Sequence, residues 1–168
     1  RLKSSKSNEW YTPADHMALV YSVLGDIDLD PASSKVANDK VVGAGCIFTE
    51  QDGDESWRID GYPWTGRVYC NPPYGGLAGK FTIKAVNEFA AGRVTECILC
   101  LSGYAYETKW FRSILRDLTI PICWVYGRVK FATPDGICKA STVGTIYVYI
   151  GSRPDLFRSI FSEIGAVR

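Results

Sequence analysis

Eight residues in the middle of the chain, Val94-Thr95-Glu96-Cys97-Ile98-Leu99-Cys100-Leu101, form a mostly apolar run bounded by Gly92 and Gly103. The run is far too short to cross a membrane, and its length and composition read as a strand buried in a core. The segments around it carry helical spacing. Residues 80–91 put Phe81, Ala85 and Phe89 on one predicted face before Gly92, and residues 108–118 turn Trp110, Phe111, Ile114 and Leu115 inward.

The same alternation extends along the chain. Strands are expected over 27–30, 46–49, 67–70, 94–101, 120–125 and 143–150, and helices over 14–24, 33–39, 80–91, 108–118 and from Pro154 through Ile164. Thr12 is the expected N-cap of the first helix, with Pro13 in its first turn and Gly25 at its end. Residues 50–66 and 127–141 read as loops, rich in Gly, Pro and Asp. Helices alternating with strands predict an α/β fold: a mostly parallel sheet with helices on both faces. Strands 120–125 and 143–150 are the expected antiparallel edge pair. Residues 1–8 read as a flexible basic arm and residues 9–168 as one domain.

Composition narrows the function classes. The formal net charge is only +1, so any nucleic-acid face must be local rather than global. Six cysteines in 168 residues are too few for a disulfide scaffold. Cys97 and Cys100 sit three apart on the predicted strand and point to opposite faces, and His16 is the only histidine, so no metal site is expected. No run of 18 apolar residues occurs, and neither a membrane partner nor a secretory leader is expected; a cytoplasmic setting suits the free cysteines. A monomer or weak dimer is the expected assembly.

Asn71-Pro72-Pro73-Tyr74-Gly75-Gly76 cuts off the strand that ends at Cys70. In an open parallel sheet, ligands bind just beyond the carboxyl ends of the strands. Two prolines fix two φ angles and remove two N–H groups, leaving a rigid turn that presents acceptors: the Asn71 amide oxygen and the Pro72 carbonyl. An aromatic exocyclic amine has two N–H donors and a lone pair delocalised into its ring. Two acceptors aimed at those hydrogens favour a tetrahedral nitrogen and free the lone pair to attack a sulfonium methyl. Tyr74 would hold the ring by stacking.

At these residues the sequence resembles the amino-methyltransferases, and more closely the phage-type DNA N-6-adenine-methyltransferase family. Glu9-Trp10-Tyr11-Thr12-Pro13, Asp28-Leu29-Asp30-Pro31-Ala32-Ser33, Asn71-Pro72-Pro73-Tyr74-Gly75, Gly92-Arg93-Val94-Thr95-Glu96, Trp110-Phe111 and Gly127-Arg128-Val129-Lys130-Phe131 carry the resemblance in order along the chain. It implies a Rossmann-like class I methyltransferase using S-adenosylmethionine on DNA, with phage or prophage ancestry in a bacterial cytoplasm. It implies catalytic roles for Asn71, Pro72, Pro73 and Tyr74, and cofactor contacts from Trp10, Tyr11, Thr12, Pro13, Asp28, Asp30, Pro31, Ala32 and Asp52. Pro31-Ala32-Ser33-Ser34 stands where most methyltransferases carry a glycine-rich turn.

Adenine in a duplex hides its amine, so the base must be flipped out. Lys80, Lys109, Arg128, Lys130 and Lys139 are the candidate phosphate contacts, and Tyr104, Tyr106 and Phe131 the candidate stacking or wedge residues, with core packing an equal option for Phe131. Specificity is expected from the segments 102–109 and 127–141. The same chemistry on cytosine N4 or a protein glutamine, and a catalytically silent module that binds DNA or cofactor, stay open at this point.

Overall fold

The computed structural model describes residues 9–54 and 57–168, the side chain of Leu115 apart. The expected arm over residues 1–8 and the inward placement of Leu115 lie outside what is described. A seven-stranded sheet forms the centre. Its strands are β1 (Leu29–Asp30), β2 (Cys46–Ile47), β3 (Gly66–Cys70), β4 (Val94–Ser102), β5 (Ile122–Val125), β8 (Thr145–Gly151) and β9 (Gly165–Val167). They lie in the order β2-β1-β3-β4-β8-β5-β9. A separate hairpin pairs β6 (Lys130–Ala132) with β7 (Cys138–Ala140).

β1, β2, β3 and β4 are parallel to one another, and β8 runs antiparallel to both β4 and β5. Five strands therefore share one direction against two. β8 was expected at an edge; it lies inside the sheet, and β9, just past the expected end of the last helix and not expected as a strand, closes the edge beside β5. The reason is visible in composition: β8 is buried almost throughout, as an edge strand would not be. At β9, a side chain on Gly165 would meet the Trp124 carbonyl oxygen at 2.4 Å, so the backbone approaches β5 only because that residue is glycine.

The helices cover both faces. β4 separates two cores by simple alternation. Cys97, Leu99 and Leu101 pack with Trp64, Phe81 and Phe111 on the side of α3 (Ala78–Ala90) and α4 (Lys109–Arg116). Ile98 and Cys100 pack with Val20, Phe157 and Phe161 on the side of α1 (Ala14–Leu24) and α5 (Pro154–Phe161). The two cysteines thus face opposite ways.

Several local expectations are corrected. α3 buries Phe81, Ala85 and Glu88, while Phe89 is 36% exposed. Position i+7 returns to the starting face of a helix and i+8 has rotated past it, so Glu88 takes the inner place, paired with Lys84 and Arg93. Thr12 does not cap α1; Pro13 holds the cap position with no side-chain bond, and the Thr12 hydroxyl pairs with the Tyr69 hydroxyl at 2.6 Å. The helix over 33–39 is a single turn, α2 (Lys35–Ala37), capped by Ser34 and continued by the wide turn Asn38–Val42. The stretch read as loop at 50–66 contains the wide turn Trp57–Gly61, and that at 127–141 contains the β6–β7 hairpin.

β4 and β8 are also tied at their outer end. Glu96, 7% exposed, accepts from the Tyr149 hydroxyl and from Arg153 Nε and Nη at 2.9 and 2.6 Å. Arg153 Nη also donates to the Val23 carbonyl at 2.6 Å, which clasps α1 to the sheet. Glu96→Ala removes the acceptor shared by Tyr149 and Arg153. Urea unfolding is expected to show a loss of about 2 kcal/mol, below the range for wholly buried pairs because Arg153 is half exposed.

Candidate active site

The parallel strands bring their carboxyl ends to one side of the sheet, and two cavities open there. The first has a volume of about 330 Å³ and is lined by Trp10, Thr12, Asp30, Glu50 and Asn71 among others. The second, of about 580 Å³, is lined by Ser102, Tyr104, Trp110, Phe131 and Lys139 among others. They share four residues, Trp10, Pro72, Pro73 and Tyr74. The Asn-Pro-Pro-Tyr segment is the partition between the two spaces.

Asn71 follows β3 directly, and its Nδ2 donates to the Trp10 carbonyl at 3.1 Å. A carbonyl can only accept, so this bond sets the amide's orientation and leaves Oδ1 free to face a donor. Asn71 lines the first cavity, whereas Pro72, Pro73 and Tyr74 line both. Tyr74 is 42% exposed, and loss of solvent around its hydroxyl pushes its pKa up to about 12. Its ring is available as a flat, uncharged surface.

Asp30 ends β1 and is 3% exposed. Its Oδ1 accepts from the Ala32 N–H at 3.0 Å. This side-chain-to-backbone turn occupies the place of the missing glycine-rich turn. Desolvation raises the Asp30 pKa to about 6, against the opposing pull of the Ala32 and Ser33 hydrogen bonds and the Arg58 charge. Trp10, Tyr11, Thr12 and Ala32 line the first cavity as expected. Tyr11 donates its hydroxyl to Glu9 at 2.8 Å, and burial pushes it up to about 12. Pro13 and the buried Pro31 lie behind that lining, shaping the turns rather than the wall.

Two of the residues expected to contact the cofactor lie off the cavity. Asp28 lies at the other end of β1, off both cavities, and both its oxygens are taken by Arg67: Oδ2 by the backbone N–H at 2.7 Å and Nε at 2.9 Å, Oδ1 by Nη at 3.1 Å. Those hydrogen bonds hold its pKa low. It fastens β1 to β3. Asp52 accepts from the Thr49 N–H and hydroxyl at 2.9 and 2.8 Å, closing a tight turn, and does not line the cavity. Glu50 and Gln51 line it instead. They stand just past the strand end expected at Thr49, so the position directly beyond that end was the signal that could have pointed to Glu50. Arg58 was also missed: it is 2% exposed, lines the first cavity and lies 5.9 Å from the Phe81 ring centroid. Nothing local marks an arginine in a polar stretch as buried.

Of the basic candidates, Lys139 lines the second cavity, and Arg128 extends beside Gly144, next to Val143 of that wall. Lys80, Lys109 and Lys130 are exposed but line neither cavity. Tyr104, 62% exposed, lines the second cavity; Tyr106 is exposed and does not. Phe131 is 3% exposed and packs in the α1–α5 core while closing the cavity floor. Among the described residues there is no cluster of three or more metal-ligating side chains, and no helix long and apolar enough to cross a membrane.

A mostly parallel sheet, helices on both faces and paired cavities at the strand tips define a Rossmann-like methyltransferase fold. The chain belongs to the DNA N-6-adenine-methyltransferase (Dam) family, whose model matches residues 1–148. No curated protein matches it.

The buried Asp30 gives a test of whether this cavity is built for binding rather than stability. A carboxyl whose folded pKa is raised keeps its proton longer in the folded state, so its burial costs stability as pH rises from about 4 through about 6. Asp30→Asn keeps an acceptor for Ala32 and removes that cost. Denaturation between pH 4 and 8 is expected to show the variant gaining on the wild type by about 1–3 kcal/mol across that window. A constant difference over the whole range would mean that Asp30 ionises freely.

Proposed function

We propose that the protein transfers a methyl group from S-adenosylmethionine to the N6 amine of an adenine flipped out of duplex DNA. The observation that carries this is the partition: two cavities meet across Trp10, Pro72, Pro73 and Tyr74, so donor and acceptor can be held apart by one thin wall. The Dam family membership supports adenine in DNA as the substrate.

The first cavity suits the cofactor chemically. Asp30 is a desolvated carboxyl that an incoming ammonium would stabilise in its ionised form. Glu50 offers a carboxylate to ribose hydroxyls, and Ala37, Val41 and Val42 offer an apolar wall to a purine. S-adenosylmethionine supplies an electrophilic methyl on a positive sulfur. The protein's own part is to prepare the amine. Asn71 Oδ1, oriented by the Trp10 carbonyl, and the Pro72 carbonyl accept its two hydrogens and favour the tetrahedral nitrogen. Tyr74 holds the ring face, and its neutral hydroxyl keeps negative charge away from the base.

Methyl transfer from labelled S-adenosylmethionine to unmethylated duplex DNA, followed by digestion to nucleosides, is the direct test, and label on N6-methyladenine is expected. Cofactor binding with no label on DNA would instead favour a protein substrate or a silent binding module. Asn71→Ala is expected to lower kcat on the order of a hundred- to a thousandfold, with cofactor affinity changed only a few-fold. Asn71→Asp sets a carboxylate oxygen against the Trp10 carbonyl in place of a donor, and it is expected to fall below Asn71→Ala in cofactor affinity as well as rate. Tyr74→Phe should keep most activity because stacking needs the ring, whereas Tyr74→Ala should raise KM for DNA.

A further inference from the structure

The β6–β7 hairpin forms part of the wall of the second cavity. Phe131 and Lys139 are direct cross-strand partners, and both line that cavity. The ladder continues one step further: the Thr133 N–H donates to the Ile137 carbonyl at 3.0 Å, and the Ile137 N–H to the Thr133 hydroxyl oxygen at 3.2 Å. Thr133 and Ile137 thus extend the hairpin by one pair, and Ile137 stands two residues beyond Lys139 toward the tip. From the cavity toward the tip come a buried ring and a lysine that both line it, and then an isoleucine that is 56% exposed.

The tip that carries Ile137 is rigid. Gly136 donates to the Thr133 carbonyl at 2.8 Å, closing the turn Thr133-Pro134-Asp135-Gly136; Pro134 fixes one φ, and Gly136 supplies the left-handed residue with φ of 79°. The strand end next to that tip is held as well. Tyr11 and Ala132 exchange two backbone hydrogen bonds, at 2.7 and 3.0 Å, which makes the cofactor-side segment a third strand of the hairpin. An exposed β-branched side chain is thus carried on a stiff support close to the cavity wall.

We infer that Ile137 is the wedge that enters the base stack and fills the void left by the flipped adenine, while Lys139, and Arg128 and Lys130 at the hairpin base, hold the adjoining phosphates. The inference rests on the DNA-methylating function proposed above. Apolar side chains inserted between base steps are an established way to stabilise unstacked DNA, and the cations supply the matching charge around an otherwise nearly neutral protein. Asp135 is the one acid on the turn, and its charge is felt at Tyr11.

The wedge matters only where a stack must be opened, and that gives the test. Methyl transfer is measured with wild type, Ile137→Ala and Ile137→Val on three substrates: duplex DNA, the same strand alone, and a duplex with an abasic site opposite the target. Ile137→Ala is expected to lose on the order of tenfold or more in kcat/KM on the intact duplex, with little loss on the other two. Ile137→Val, which keeps a branched apolar side chain, should retain most of the duplex activity. Equal loss on all three substrates, or no loss on the duplex, would overturn the wedge while leaving the proposed function intact. Absence of N6-methyladenine with wild-type protein would overturn both.

Discussion

The interior strand β4 is the member on which the other layers depend. It is hydrogen-bonded along both edges, to β3 in parallel and β8 in antiparallel register, and it is buried on both faces over six consecutive residues. Alternation along it assigns every neighbouring helix to one of two cores. Because β3 and β4 run the same way, their ends come out on one side, and the residues just past β3 have to turn there. The Asn-Pro-Pro-Tyr segment is that turn, so the partition between the cavities is set by the pairing of two strands.

A second constraint acts from above. The segment at residues 10–16 touches nearly every part of the site. The Trp10 carbonyl orients Asn71, Tyr11 pairs with the hairpin, the Thr12 hydroxyl meets Tyr69, and His16 Nδ1 lies 2.9 Å from the Tyr147 hydroxyl. The lining of the first cavity, the Asn71 amide and the hairpin are thus joined by short hydrogen bonds rather than by long-range adjustment. Asp30 lines the first cavity with its charge disfavoured by burial, at a cost to stability. Asp28, only two residues earlier, has the opposite role because it faces Arg67 rather than the cavity.

Much of the fold was legible in the pattern of residues. The apolar run at β4 and the strand ending at Cys70 could be read directly, since fully buried strands and rigid prolines leave strong local signals. The motif's place at a strand tip followed from the chain direction. What escaped was short or non-local. The β6–β7 hairpin has three-residue strands, below the length at which alternation can be recognised. β9 is equally short and begins directly after the last helical pattern. Among acids and bases, Asp28, Asp30, Asp52 and Glu50 differ little as sequence, and only their neighbours make one a clasp, one a buried cavity carboxyl, one a turn closer and one a cavity wall.

The sequence by itself determined the covered, mostly parallel sheet and the acceptor-only turn that ends β3, because burial periodicity and the geometry of proline are local properties of the chain. The tertiary structure alone decided that this turn would divide two cavities, that Trp10 would set the face of Asn71, and that the hairpin would form part of the wall of the second cavity. Those outcomes depend on contacts between residues some 60 or more positions apart, such as Trp10 with Asn71 and Tyr11 with Ala132, and no local preference specifies which distant groups will meet.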